Sequence, residues 1–277
     1  MIILENESLS KHTTIRIGGI CKSYYIPENI DEIIKITKIK DDVKCIGGGS
    51  NLLINDRVFE EVYDLIRFDQ TIEDLGGGYF QVGASVRLQK LINVVNECGY
   101  GGIEYLFSIP GTVGGAVAMN AGRGESYNQS ISDYVVSLCA VKRGTVYDIN
   151  RDECGFEYRD SVFKKSNMII SSVTFRFPEM TFDVVSDAKQ KRMELVKRVQ
   201  DNSNPNFGSV FSKCDHRIMK FAKFLKIGKR AHFSGKTENW IVNEDGNFKD
   251  VISSMVSVER IHKILGKEIK REVVVWE

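Results

Sequence analysis

Three polar side chains in this sequence have neighbours that suit a catalytic role. Arg159 lies in a stretch of aromatic and charged residues, and a guanidinium is always charged and can hold a carboxylate at two points. Ser209 stands on a Gly-Ser turn in a polar loop, where its hydroxyl can be presented to a substrate. Glu272 precedes an apolar strand, and a partly buried carboxylate can act as an acid. Each also has a structural explanation: a surface ion pair, a turn serine and an edge-strand charge respectively.

Two glycine-rich segments favour close approach of the backbone to a ligand. The first, residues 47–51, lies between two apolar strands, and the second, residues 101–122, contains the turn-forming Pro110. Backbone N–H groups in such turns can form an anion-binding nest suited to a pyrophosphate, and Ser50 and Asn51 add side-chain donors. Neither segment is a Walker loop or a dinucleotide-binding GxGxxG motif. The alternative for both is a tight turn in which glycine permits φ > 0.

The composition is that of an ordinary globular protein. The 277 residues are 42% hydrophobic, and 38 Lys and Arg balance 37 Asp and Glu. This balance argues against a nucleic-acid partner, and no apolar run is long enough to span a bilayer, so we expect no membrane partner. The N-terminus lacks the features of a signal peptide, which favours a cytoplasmic protein. Six scattered cysteines without a CxxC pair and four dispersed histidines predict reduced thiols and no metal site.

The spacing of apolar residues predicts three consecutive regions. Residues 1–62 indicate a small α/β unit, residues 63–178 a mostly β region with one helix, and residues 179–277 a mixed region. Helices are predicted at residues 31–38, 86–98, 184–200, 218–225 and 251–265. Strands are predicted at residues 23–26, 44–46, 52–54, 79–84, 134–141, 146–149, 168–177, 240–243 and 271–276. A hairpin turn is predicted at Arg143-Gly144.

Several motifs occur in one order along nearly the whole chain. They are GGGSNL at 47–52, GAS at 83–85, IPGTVGGA at 109–116, MNAG at 119–122, YRDS at 158–161, GSVF at 208–211 and Glu-Val at 272–273. In this order they resemble the UDP-N-acetylenolpyruvoylglucosamine reductase (MurB) family, of its shorter subtype. The resemblance implies an oxidoreductase that uses FAD and NADPH to reduce the enolpyruvyl ether of UDP-N-acetylglucosamine to UDP-N-acetylmuramate, a peptidoglycan precursor.

The resemblance also implies a fold and a set of site residues. The fold is α+β, with a two-part FAD-binding region of the vanillyl-alcohol-oxidase (PCMH) type at residues 1–62 and 63–178 and a substrate-binding domain at 179–277. FAD is expected to be noncovalent and the protein a monomer. The implied FAD-binding residues are Gly47, Gly48, Gly49, Ser50, Asn51, Leu52, Gly83, Ala84, Ser85, Pro110, Gly111, Thr112, Gly114, Gly115, Ala116, Asn120, Ala121 and Gly122. The implied substrate-binding residues are Tyr158, Lys220, Lys236 and Asn239.

The three candidate catalytic residues match positions with assigned roles in the family. The resemblance implies that Arg159 stabilises an enolate, that Ser209 donates a proton and that Glu272 is a second acid. Reduction of an enolpyruvyl double bond needs these functions beside a hydride source. Lys220, Lys236 and Asn239 are expected at the uridine diphosphate, although lysines on a helix or loop are often only solvated.

Departures from the family pattern leave the substrate open. Thr237 stands where the family usually has histidine, Val274 stands where the closing strand usually has arginine, and residues 218–233 match poorly. The alternatives are a divergent family member, a related flavoprotein that reduces or oxidises a different nucleotide sugar or small substrate, and a non-catalytic flavin-binding protein. The joint presence of the three candidate catalytic residues argues against the last.

Overall fold

Helices and strands are interspersed along the computed structural model, which describes residues 1–40, 42–124 and 128–277. This confirms the α+β class. The α-helices are α1 (Ile30–Ile39), α2 (Leu88–Glu97), α3 (Val113–Ala118), α4 (Phe182–Val199), α5 (His216–Leu225) and α6 (Phe248–Ile264). The strands are β1 (Ile2–Ser8), β2 (Ile20–Ile26), β3 (Cys45–Ile46), β4 (Leu52–Ile54), β5 (Phe59–Asp64), β6 (Ile72–Gly76), β7 (Tyr79–Gly83), β8 (Val135–Lys142), β9 (Thr145–Asn150), β10 (Ile169–Arg176), β11 (Asn206–Ser209), β12 (Phe211–Lys213), β13 (Ala231–Phe233), β14 (Trp240–Asn243), β15 (Lys270–Arg271) and β16 (Val274–Trp276).

The chain divides into two compact units. The first comprises Met1–Leu4, Tyr24–Gly48 and Val62–Val196. The second comprises Glu5–Ser23, Gly49–Glu61 and Lys197–Glu277. The division into three domains at residues 62 and 178 is a different one and stays a prediction. Among the described residues, no helix has the length and apolar composition needed to cross a bilayer.

A five-stranded antiparallel sheet forms the centre of the first unit. Its order is β6-β7-β10-β8-β9, and β10 pairs with β7 on one side and β8 on the other. Val173 and Phe175 of β10 are fully buried, and Leu88, Leu91 and Val95 of α2 lie in the same core. The helical spacing of these α2 residues places them on one face. Burial of each such side chain contributes about 1.5–3 kcal/mol.

The hairpin between β8 and β9 is confirmed. Lys142 pairs with Thr145, so Arg143 and Gly144 form the turn. Their φ angles are 50° and 73°. Positive φ at both central positions is typical of the type I′ turn, whose twist matches that of the strands it joins.

The second glycine-rich segment differs from the turn that was predicted, because part of it forms α3. Gly111, Gly114 and Gly115 all have φ outside the left-handed region. Glycine has low helix propensity, so packing and capping must hold this helix. The Thr112 hydroxyl caps it by accepting a hydrogen bond from the Gly115 N–H at 3.4 Å, and a Cβ atom on Gly114 would lie 2.9 Å from that of Ala84. Gly114 is therefore required for close packing rather than for positive φ.

The second unit combines small sheets with two helices. β11, β14 and β13 form one sheet in that order, β12 pairs with β15, and β16 pairs in parallel with β4. Met219 and Ala222 of α5 pack in one core with Val251, Met255 and Val258 of α6. The side chain of Asn247 caps the start of α6.

The C-terminal strand is split, whereas one strand was predicted at residues 271–276. β15 pairs with β12, but β16 pairs with β4. The change of partner occurs at Glu272 and Val273, whose N–H groups both donate to the Val210 carbonyl oxygen at 2.8 and 3.3 Å. A shared acceptor interrupts the regular ladder, so a single strand cannot continue.

Candidate functional site

Two glycine-rich segments that are distant in sequence meet in the first unit. A Cβ atom on Gly48 would lie 3.0 Å from the Cα of Gly111 and 3.3 Å from the Pro110 carbonyl oxygen. A Cβ atom on Gly47 would lie 2.9 Å from Oγ1 of Thr112. Neither position has room for a side chain, so the two backbones are in direct contact. We call Gly47, Gly48 and residues 110–112 the glycine cradle.

The segment Gly83-Ala84-Ser85 supports the cradle. The carbonyl oxygen of Ala84 accepts a hydrogen bond from the N–H of Gly114 at 2.9 Å. The buried Ser85 hydroxyl donates to the Leu65 carbonyl oxygen. Three of the predicted FAD-binding segments are therefore neighbours in the structure.

The two glycine-rich segments differ in which backbone N–H groups are open to a ligand. The N–H groups of Gly111, Gly115 and Ala116 donate to acceptors in their own segment, so they are not open to an anion. Within the described part of the chain, the N–H groups of Gly47 and Gly48 donate to no protein atom. The anion nest stays a prediction, because these contacts occupy the N–H groups of Gly111, Gly115 and Ala116 but leave those of Gly47 and Gly48 open to a phosphate.

The remainder of the first segment belongs to the second unit. Gly49 has φ of 60°, and a side chain there would collide with the carbonyl oxygen of His12. Asn51 donates through Nδ2 to the Glu272 carbonyl oxygen at 3.2 Å. The other members are Ser50, which is half-buried, and Leu52, which begins β4.

Arg159 occupies a strained turn in the first unit. Its φ is 56°, in a region that arginine rarely adopts, and the flanking Glu157 and Asp160 exchange two backbone hydrogen bonds. Its guanidinium donates to the carbonyl oxygens of Asn120 at 3.3 Å and Gly122 at 2.6 Å. The guanidinium also lies over the ring of the preceding Tyr158, 5.3 Å from its centroid. These contacts fix the cation against the MNAG segment.

Asn120 connects the MNAG and YRDS motifs. It is buried, and its Nδ2 donates to the Glu157 carbonyl oxygen at 2.8 Å. The Ser161 hydroxyl donates to the Ala118 carbonyl oxygen at 2.6 Å, and Ala121 is also buried. The two motifs that are most specific in the sequence thus form one hydrogen-bonded structure.

Asp160 anchors the same turn through two lysines. Burial would raise the pKa of this carboxyl group, but the hydrogen bond from Lys165 at 2.9 Å and the charge of Lys164 at 3.8 Å hold the pKa below its ordinary value. Lys164 also donates to the Arg159 carbonyl oxygen at 2.9 Å. The ionised form of Asp160 therefore supports the backbone that carries Arg159.

Tyr105 was missed by the sequence analysis. Its hydroxyl is buried and has no hydrogen-bond partner within the described residues. Desolvation raises the pKa of Tyr105, Tyr134 and Asp133 add to the rise, and the charge of Arg159 opposes it. A neutral, unpartnered donor close to Arg159 suits a polar group of a ligand. Its only sequence signal was its place between glycines 101 and 122.

Ser209 and Glu272 lie on neighbouring backbone segments of the second unit. Ser209 ends β11 after Gly208, whose φ is 77°, and the N–H of Glu272 donates to the carbonyl oxygen of Val210. Both side chains are half-buried. Among the described residues, the Ser209 hydroxyl makes no hydrogen bond, so it is available to a ligand.

The predicted substrate-binding residues of the second unit fall into two groups. Asn239 is committed to the protein, because its Nδ2 donates to the Phe211 carbonyl oxygen at 2.7 Å and its Oδ1 accepts from the Phe211 N–H at 3.0 Å. Lys236 donates through Nζ to the Lys197 carbonyl oxygen at 3.0 Å. Lys220 instead lines an open cleft of about 440 Å³. The other lining residues are Lys223, Phe224, Lys226, Gly235 and Glu238.

Two of the three departures from the family pattern have defined contacts in the structure. Thr237 donates to the Val199 carbonyl oxygen at 2.8 Å and accepts from the Asp201 N–H at 2.6 Å. Val274 pairs with Leu52 in the parallel β16–β4 ladder. Among the described residues, no three His, Cys, Asp or Glu side chains cluster in a way that could hold a metal ion.

Comparison with known proteins identifies a matching family and several similar enzymes. A family described as an FAD binding domain matches residues 22–150. UDP-N-acetylenolpyruvoylglucosamine reductase from Thermotoga maritima is 31% identical over 98% of this chain and 97% of the relative. The Bacillus licheniformis reductase of the same name is 33% identical over 94% of this chain and 89% of the relative. The crystal structure of the reductase (MurB) from Thermus caldophilus covers 100% of both chains with a TM-score of 0.81 and 26% identity.

The matched FAD binding domain and the similarity to the reductases define an FAD-dependent oxidoreductase. Within that class, the chain belongs to the UDP-N-acetylenolpyruvoylglucosamine reductase (MurB) family. The family resemblance stated from the motifs is thereby confirmed.

Proposed function

We propose that this chain uses NADPH and noncovalent FAD to reduce the enolpyruvyl ether of UDP-N-acetylglucosamine to UDP-N-acetylmuramate, a precursor of peptidoglycan. The observation that carries the proposal is the near-full-length match to reductases of that name in a chain that has Arg159, Ser209 and Glu272.

The residues present fit FAD. The cradle brings the two glycine-rich segments into backbone contact, and the N–H groups of Gly47 and Gly48 are open to a phosphate. The segments that surround the cofactor would be residues 83–85, 114–116 and 120–122, whose packing would keep the site in shape. When bound, FAD supplies the hydride that adds to the substrate double bond.

Arg159 would stabilise the negative charge that develops on the substrate. Addition of hydride to the enolpyruvyl group delocalises charge into its carboxylate, and a fixed guanidinium stabilises that charge without reorganisation. Two carbonyl acceptors already orient the guanidinium, while Tyr158 supports its face. Tyr158 is 36% exposed and would also contact the substrate.

Ser209 would deliver the proton that completes the reduction. Its Oγ–H bond breaks as the proton moves to the substrate carbon, and solvent restores the proton afterwards. Free serine is a weak acid, so the transfer requires a partner that stabilises the alkoxide. Glu272 would serve as a second acid on the adjoining segment, positioned by the Asn51 contact to its backbone.

The uridine diphosphate would contact Lys220, the one predicted substrate-binding lysine that lines an open cleft. Lys236 and Asn239 would contribute by holding residues 234–239 in place, because their polar atoms bind backbone groups.

The proposal is tested by product analysis. The purified protein, NADPH and UDP-N-acetylglucosamine enolpyruvate should give UDP-N-acetylmuramate, seen by mass spectrometry as the gain of two hydrogens. NADPH consumption that depends on oxygen and leaves the nucleotide sugar unchanged would instead identify an oxidase. A protein that takes up no FAD would rule out every flavoenzyme function.

A further inference from the structure

A strongly basic stretch spans α5 and the loop that follows it. The whole chain is nearly neutral, yet residues 216–237 contain seven Lys and Arg and no Asp or Glu. The cations are Arg217, Lys220, Lys223, Lys226, Lys229, Arg230 and Lys236. All are exposed except Lys223, which is half-buried. The second unit therefore presents a concentrated positive surface that the net charge conceals.

The same surface exposes large apolar side chains. Ile218, Met219 and Ala222 form the buried face of α5. On the opposite face Phe221 is 50% exposed and Phe224 83% exposed, and Leu225 at the end of the helix is 52% exposed. We call Phe221, Phe224, Leu225 and the five cations with no other assigned contact the α5 patch; these cations are Arg217, Lys223, Lys226, Lys229 and Arg230.

Acidic groups do little to neutralise this patch. Glu238 lines the cleft beside Lys220 and Lys223, but its carboxylate is 2.7 Å from Nδ1 of His216. Asp215 precedes α5 and accepts hydrogen bonds from the N–H groups of Arg217 and Ile218. These two carboxylates offset only part of the charge, because they supply two negative charges against the five cations of the patch.

We propose that the α5 patch binds the surface of an anionic phospholipid bilayer. Exposed aromatic and aliphatic side chains enter the boundary between headgroups and acyl chains, while long lysine side chains reach lipid phosphates around them. A second copy of the chain is a poorer partner, because facing patches would bring like charges together. A nucleic acid would use the cations but gives Leu225 no role.

This proposal revises the expectation of no membrane partner. That expectation rested on the lack of an apolar segment able to span a bilayer, and binding at the surface requires no such segment. The patch overlaps residues 218–233, which match the family pattern poorly.

Vesicle sedimentation of the FAD-loaded protein tests the proposal. Vesicles of phosphatidylcholine with 30% phosphatidylglycerol (about one lipid in three) should bind the protein, and pure phosphatidylcholine vesicles should not. Phe224→Ser and, separately, Arg217→Glu with Lys229→Glu should each weaken binding at least about fivefold. The control is Phe182→Ser, because Phe182 is 69% exposed but precedes Asp183 on α4, outside the basic stretch.

Retained flavin absorbance shows that each variant is folded. Three results would overturn the proposal: no binding to anionic vesicles, equal binding to neutral ones, or equal losses for Phe182→Ser and Phe224→Ser. A fourth is unchanged vesicle binding by Phe224→Ser together with displacement of the vesicles by a short RNA, which would identify a nucleic-acid surface.

Discussion

Arg159 of the first unit and Ser209 of the second differ in how far their side chains are bound to the protein itself. In the first unit, the Arg159 guanidinium donates to backbone carbonyl oxygens, and Gly48 and Gly111 are in backbone contact. In the second, the Ser209 hydroxyl makes no hydrogen bond among the described residues, and Lys220 is exposed. A group that stabilises charge works best when fixed in advance, whereas a proton donor must remain available to its substrate. Variants of the cradle and of Asp160 should therefore affect cofactor binding and stability, whereas variants of Arg159, Ser209 and Lys220 should affect substrate chemistry.

Gly48→Val should have the largest effect on cofactor binding. The new side chain would press on the Gly111 backbone, and overpacking costs about 1–3 kcal/mol, so FAD affinity should fall at least about tenfold. Titration of the apoprotein with FAD measures this. Gly124→Ala is the control, because a Cβ there meets nothing within 4 Å. Equal affinity for both variants would contradict the cradle.

Ser209→Ala should slow the substrate half of the reaction by about 10²–10⁴-fold, as expected for loss of a proton donor. Reduction of the flavin by NADPH should be unchanged. Stopped-flow absorbance separates the two steps, and Ser212→Ala on the neighbouring strand β12 is the control. Equal losses in both half-reactions would reject the proton-donor role.

Arg159→Lys should slow substrate reduction by about 10²-fold while FAD remains bound. Lysine keeps the charge, but its three N–H donors cannot meet the two carbonyl oxygens and also hold a carboxylate at two points. The same stopped-flow experiment reports the rate, and the flavin spectrum reports occupancy. Loss of FAD would show that Arg159 is structural.

Asp160→Asn should reduce the free energy of unfolding by about 1–3 kcal/mol at pH 7. The pKa of Asp160 is lower in the folded protein than its ordinary value of 3.8, so its stabilising effect is present above that value and lost as the pH falls through the lowered pKa. Urea unfolding should show a difference at pH 7 that closes in acid. The highly exposed Asp152→Asn should show little difference at either pH, and a constant difference for Asp160→Asn would reject the linkage.

Lys220→Ala should have the smallest effect, a rise in KM of about three- to tenfold with kcat unchanged, because exposed cations interact weakly with a phosphate. Steady-state kinetics with varied nucleotide sugar measures this. A comparable fall in kcat would place Lys220 nearer to the reacting atoms than the open cleft suggests.

Periodic patterns predicted much of the secondary structure. The apolar spacing of α2 and the turn at Arg143-Gly144 are local signals, and both elements form where expected. α3 was missed because its two glycines disfavour a helix in isolation, and the contact with Ala84 that favours it involves a distant segment. The strand break at Glu272 was missed for a similar reason, since it depends on Val210.

The candidate site was predicted by motif rather than by geometry. The sequence identifies Arg159 as a charged group, but its anchoring carbonyl oxygens belong to residues 120 and 122, and no local pattern predicts that contact. Asn239 is the opposite case. The sequence suggested an amide available to the substrate, but both of its polar atoms bind the backbone of Phe211. The unpartnered hydroxyl of Tyr105 follows from packing alone.

Anaerobic reduction of the FAD-loaded protein with NADPH, followed by UDP-N-acetylglucosamine enolpyruvate, tests the central claim most directly. The account predicts that the visible flavin absorbance bleaches with NADPH and returns in full when the nucleotide sugar is added. If the absorbance bleaches and stays low until oxygen is admitted, the first unit binds FAD as proposed but the substrate assignment is contradicted.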